Sequence, residues 1–107
     1  MALVTLEEAK EYLRVSTSDE DAMISSLILT AEVLSKDVGR VSDEQWTAVN
    51  AEPAETDPDE IVWIRSVLKA AILYTTAYLF EHREEADYHG QMITLRNLLF
   101  SIREGVV

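Results

Sequence analysis

Residues 57–83 read DPDEIVWIRSVLKAAILYTTAYLFEHR, and this stretch decides the fold class. Asp57 is placed to cap a helix, Pro58 sits at the first helical position where a missing N–H costs nothing, and Glu60 completes a capping box. Ile61, Ile64, Val67, Leu68, Ala71, Ile72, Thr75, Tyr78 and Leu79 then recur at helical spacing as far as about Arg83. Val62, Trp63, Leu73 and Tyr74 add apolar side chains on other faces. A stripe that wide belongs to a helix central to its bundle, or to one covered on a second side by another subunit.

Working outward, helix signals dominate. Thr5-Leu6-Glu7-Glu8 is a capping box, in which the Thr5 hydroxyl accepts the N–H of Glu8 and the Glu8 side chain reaches back to Thr5. A short helix is predicted from about Leu6 to Arg14. Ser16-Thr17-Ser18 breaks it, and Ser18 caps the next, with Asp19, Glu20 and Asp21 at its positive end. Met23, Ile24, Leu27, Ile28, Ala31 and Leu34 make an amphipathic stripe to about Val38, where Gly39 is a natural C′ stop. A last helix is predicted over about Gln91–Arg103, carrying Met92, Leu95, Leu98, Leu99 and Ile102 on one face, with Gly105 ending it. Residues 84–90 read as a polar connection.

Residues 40–57 are the one stretch without a clear period, and a structureless segment of that length is unusual inside a small domain. Between Val41 and Glu60 lie seven acidic residues and no basic one, which is −7 of the net charge of −11. Trp46 and Val49 either pin this loop to the core or face a partner. The predicted fold is all-α: a small helical bundle of two long and two short helices with one long irregular loop at about 40–57, as one domain over residues 1–107.

Composition narrows the function. The chain has 107 residues, 20 Asp+Glu against 9 Lys+Arg, 48% hydrophobic residues and no Cys. It is too apolar for a disordered acidic tail, and it lacks a disulfide framework, a thiolate zinc site and a Cys nucleophile. No signal peptide is predicted from the opening residues, and no uncharged run approaches the roughly 18–20 residues of a membrane span. Sequence-independent grip on DNA phosphates is also disfavoured, since that affinity comes from clustered Lys and Arg.

Catalytic chemistry has little support. Glu81, Glu84, Glu85 and Asp87 form a tight carboxylate cluster near the end of the long helix. Glu81 with Glu84 or Glu85 has the spacing with which all-α nucleotide pyrophosphohydrolases hold magnesium. Such a site needs a second carboxylate pair on a facing helix and a basic group for the phosphate, whereas the other acids here are accounted for by capping. A solvated helix end is the simpler account. His82 and His89 have only carboxylates nearby and read as surface histidines. Gly39, Gly90 and Gly105 all fall at helix ends, so no phosphate-cradling loop exists. The protein is not expected to be an enzyme, and neither a metal nor a cofactor is expected.

Interaction chemistry has more. Arg65 and Lys69 lie four apart, and Arg96 and Arg103 seven apart, each pair on one helix face. They either salt-bridge to neighbouring helices or meet an acidic face of an identical subunit, because the 40–60 window offers acids without internal basic partners. Charge asymmetry of this kind permits head-to-tail association, which closes into a ring when the rotation allows. The candidate interface residues are therefore Arg65, Lys69, Arg96, Arg103, Asp43, Glu44, Trp46 and Trp63.

The N-terminal half carries a recognisable series: Val4-Thr5-Leu6-Glu7-Glu8-Ala9-Lys10, then Tyr12-Leu13-Arg14-Val15, then Asp19-Glu20-Asp21, Ile24, Leu27-Ile28 and Ala31-Glu32. It closely resembles the head–tail connector (adaptor) proteins of tailed double-stranded DNA bacteriophages. The later features agree more loosely: a variable loop, a long helix rich in Ala and Tyr, and a closing Leu98-Leu99 with Arg103. The resemblance implies a small helical subunit, made in the bacterial cytoplasm and located in the virion. There it forms a ring, dodecameric, beneath the portal protein, extending the DNA channel and supporting the next head-completion or tail protein. It brings no catalytic residues. An acidic chain fits such a conduit, because a lumen that does not bind phosphate lets DNA slide. The residues alone also allow a different function, a small acidic helical regulator or DNA mimic that captures a basic partner protein.

Overall fold

The computed structural model describes residues 3–82 and 88–102. Among the described residues there are five α-helices and no strand: α1 (Leu6–Leu13), α2 (Asp21–Val38), α3 (Asp43–Asn50), α4 (Asp59–Glu81) and α5 (Tyr88–Leu99), followed by a 3-10 turn at Phe100–Ile102. The all-α bundle expected from periodicity is what forms.

The wide stripe of 57–83 has a structural cause. Helix α4 touches α1, α2, α3 and α5, so apolar side chains are needed around most of its circumference. Its Ile64, Leu68, Ala71 and Ile72 are buried with Ile24, Ile28 and Ala31 of α2, Leu95 and Leu99 of α5, Ala9 of α1 and Val49 of α3. Ala31 and Ala71 at buried positions let the two long helices approach closely. Extents of 39 × 30 × 19 Å leave room for no more than two helix layers, so every helix also keeps an outer face.

The α1 capping box forms as expected: the Thr5 hydroxyl accepts from Glu8 N at 3.1 Å, and Glu8 Oε1 accepts from Thr5 N at 3.2 Å. Other boundaries differ from expectation. The stretch 40–57 is not one irregular loop, because α3 lies inside it, opened by a second capping box. Ser42 accepts from Gln45 N at 3.1 Å, and Gln45 Oε1 accepts from Ser42 N at 3.0 Å. Buried Val49 and partly buried Trp46 then hold this helix to the core. Helix α2 begins at Asp21 without a side-chain cap, and Asp21 pairs with Lys10 of α1 at 2.8 Å instead of Ser18 capping the helix. Asp57 does not cap α4 either. Its carboxylate takes the N–H of Ala54 and the guanidinium of Arg65.

The ends of α1 and α2 share one device. Val15 N donates to Lys10 O at 2.9 Å and Arg14 N to Glu11 O at 3.2 Å, while Val41 N donates to Lys36 O at 3.0 Å and Arg40 N to Asp37 O at 3.1 Å. These are paired Schellman bonds, and the left-handed residue in each is an arginine, Arg14 at φ 60° and Arg40 at φ 53°. Gly39, expected to take that place, is instead right-handed at φ −76°. Glycine is needed there for space: a Cβ on Gly39 would lie 2.9 Å from Ser35 O and 3.6 Å from Ile102 Cδ1. The last helix also starts earlier than expected, at Tyr88, and tightens into the 3-10 turn after Leu99.

Candidate functional site

Arg65 projects from the first turns of α4 toward the C-terminal end of α3. Its Nε donates to Val49 O at 3.1 Å and one terminal nitrogen to Ala48 O at 3.2 Å; the other pairs with Asp57 Oδ2 at 3.1 Å. The last carbonyls of a helix have no internal partners and carry the negative end of its dipole, so a guanidinium is well suited to them. Lys69, one turn on, pairs with Glu8 of α1. The Lys69 ammonium is the main reason the Glu8 carboxyl is held below its usual pKa, with the N–H of Thr5 adding to it against partial burial.

The structure thus engages two of the expected interface cations within the subunit. It also corrects the premise that the acids of residues 40–60 lack internal basic partners. Asp43 bonds Lys36 of α2 at 2.7 Å, which lowers the Asp43 pKa, because the α2–α3 turn brings the two helix ends together. Asp57 is lowered first by the N–H of Ala54 and then by Arg65. Glu44, Glu52, Glu55, Asp59 and Glu60 are exposed and make no ion pair with described residues. Of the two tryptophans, Trp46 is partly buried against the core, whereas Trp63 is 51% exposed beside Val62 on the outer side of α4. Arg96 is exposed on α5; Arg103 lies outside the described residues.

Two outer faces escaped the sequence pattern. On α2, Leu29 and Val33 stand 64% and 68% exposed, four residues apart, on the side opposite the buried stripe. With Glu32, Lys36, Trp46 and Asn50 they line a groove of about 250 Å³ between α2 and α3. Glu32 is half-buried there without a hydrogen bond or ion pair among the described residues, and burial raises its pKa. On α5 and the turn after it, Ile93 and Phe100 are exposed on either side of Arg96. The available signal was the four-residue step from Leu29 to Val33 on a polar face, and Ile93-x-x-Arg96-x-x-x-Phe100 across one helical side.

Of the residues singled out for catalytic chemistry, only Glu81 and His82 have side chains among those the structure describes. Glu84, Glu85 and Asp87 lie outside the described residues, and so does the side chain of His89. Among the described residues no three His, Asp or Glu side chains converge as metal ligands do. His82 Nδ1 lies 3.0 Å from the carbonyl of Tyr78, and its ring stacks on that of Tyr78 at 4.3 Å. No described helix is long and apolar enough to cross a membrane.

The chain is therefore built from helices that four ion pairs stitch together, with apolar and charged outer faces left over. No curated protein and no solved structure matches it. The family model described as phage gp6-like head-tail connector protein matches residues 3–104, nearly the whole length and far beyond the N-terminal series that first suggested it. The chain thus belongs to the phage gp6-like head-tail connector protein family, and its role is that of a bacteriophage structural connector.

Proposed function

We propose that this protein is a ring-forming adaptor subunit of the phage head–tail junction. Its ring, twelve subunits in the virion as the resemblance implies, sits between the portal and the next head-completion or tail protein and continues the DNA channel. The observation that carries this reading is the family match across residues 3–104. Two further features support it. Exposed apolar side chains on α2, α4 and α5 leave the bundle with faces to cover. The net charge of −11 opposes phosphate binding, so DNA passes without being gripped.

Among the candidate interface residues, Trp63, Glu44 and Arg96 are those whose side chains are free to meet another chain, and Trp46 lines a groove. Asp43, Arg65 and Lys69 contribute by fixing helix ends inside the subunit. Sedimentation velocity on the purified protein, alone and mixed with its portal, tests the proposal. Particles of ten or more subunits are expected in at least one of the two. A protein that stays monomeric at high concentration and ignores the portal refutes it.

A further inference from the structure

We infer that the α2–α3 groove of one copy receives Arg96 of the next copy, with Ile93 and Phe100 of that copy lying on Leu29, Val33 and Trp46. This rests on the ring-assembly reading above and names the contact that would build it. The groove has an unusual composition for a solvent-facing surface. Leu29, Val33 and Trp46 give it an apolar lining, and Glu32 shares that lining, half-buried and without a cation among the described residues. Lys36, one turn along α2, is already held by Asp43 at 2.7 Å. A desolvated carboxylate with no partner is costly, and a guanidinium on an apolar stem is the group that relieves it: the stem covers the aliphatic wall and the plane stacks on the indole.

Arg96 carries that chemistry. It is exposed, has no acidic partner among the described residues, and is flanked on the same side of α5 by Ile93 three residues before and Phe100 four after. Among the described residues the other exposed, unpaired arginines do not match. Arg14 and Arg40 are the left-handed residues at helix ends, and neither has exposed apolar side chains a turn away on both sides. Within one chain the two faces cannot meet, because α5 turns Leu95 and Leu99 into the core and so directs Arg96 outward. Groove and arginine face share no residue, which lets the contact run head-to-tail and repeat around a ring.

Charge exchange tests it. Glu32→Arg and Arg96→Glu are each expected to weaken self-association at least about tenfold, and the double exchange to restore most of it, by sedimentation with portal present or absent. Unfolding curves of the single variants at low concentration confirm that the subunit still folds. Independently, Val33→Cys and Ile93→Cys chains, mixed and treated with a short bismaleimide, should give the mixed dimer in excess over either homodimer, since the native chain has no cysteine. Wild-type rings with unchanged single variants and no mixed cross-link overturn this contact while leaving ring assembly standing. A wild-type monomer that ignores the portal overturns ring assembly, and absence of the mixed cross-link in that same sample overturns the contact too.

Discussion

Replacing Arg65 by Met keeps the aliphatic stem and removes the guanidinium, which separates a structural role from an intersubunit one. Arg65 donates to Val49 O and Ala48 O and pairs with Asp57, and its side chain is only 14% exposed. Two bonds from a charged donor to helix-end carbonyls are lost; Ala48 O keeps the N–H of Ala51 at 3.3 Å, whereas Val49 O regains water only in part, because Val49 itself is buried. Bonds to charged groups contribute about 1.5–3 kcal/mol each, so after rehydration a net loss of about 2–3 kcal/mol is expected. For a domain of this size that lowers Tm by about 10–15 °C. Urea unfolding followed by circular dichroism, at concentrations low enough to keep the subunit monomeric, measures it. Arg65→Lys should recover about half, since an ammonium keeps the charge but not the planar fork. A Met variant within about 0.5 kcal/mol of wild type would refute the reasoning, that being the scatter of ordinary surface changes. Intact stability with lost assembly would move Arg65 to the subunit boundary.

Glu8, Asp43 and Asp57 have folded pKa values below their unfolded ones, so their contribution is present above about pH 4 and is lost as pH falls through the lowered values. Melting temperature should therefore fall on acidification below about pH 4. Glu32 has the opposite sign, raised by burial, and costs stability as pH rises through its folded value. Glu32→Gln should leave the isolated subunit at least as stable at neutral pH while weakening assembly; a variant unstable as a monomer would contradict this. Gly39→Ala should destabilise by about 1 kcal/mol or more by driving a Cβ against Ser35 O, whereas Arg40→Gly, at φ 53°, should stabilise by up to about 1 kcal/mol. Equal effects of the two would show that the left-handed position was misassigned. Thr75→Val should raise stability by about 0.5–1 kcal/mol in the same urea assay, because the Thr75 hydroxyl is buried with no partner among the described residues. A fall of that size would reveal a partner for it.

The all-α class, the two long helices and the Thr5–Glu8 cap were legible in the chain because each rests on contacts three or four residues apart. Helix α3 was equally local in principle: Ser42-Asp43-Glu44-Gln45 is a capping box. It was obscured because only Trp46 and Val49 mark its apolar side, too few to establish a period over eight residues. The Asp57 cap was misread because a distant charge, Arg65, competes for the cap's own side chain. Likewise, the ion pairs Arg65–Asp57, Lys69–Glu8 and Lys36–Asp43 depend on which helix ends come together, and no spacing along the chain reveals that.

By itself, then, the sequence determined the fold class, the acidic balance and the N-terminal series that led to the family. All three are properties of residues near one another along the chain or of their sum. Only the tertiary structure decided which charges are already spent inside the subunit and which remain outward. Burial and pairing are set by packing between α2, α3, α4 and α5, and that packing left Glu32 without a partner among the described residues in one groove and Arg96 exposed on another face.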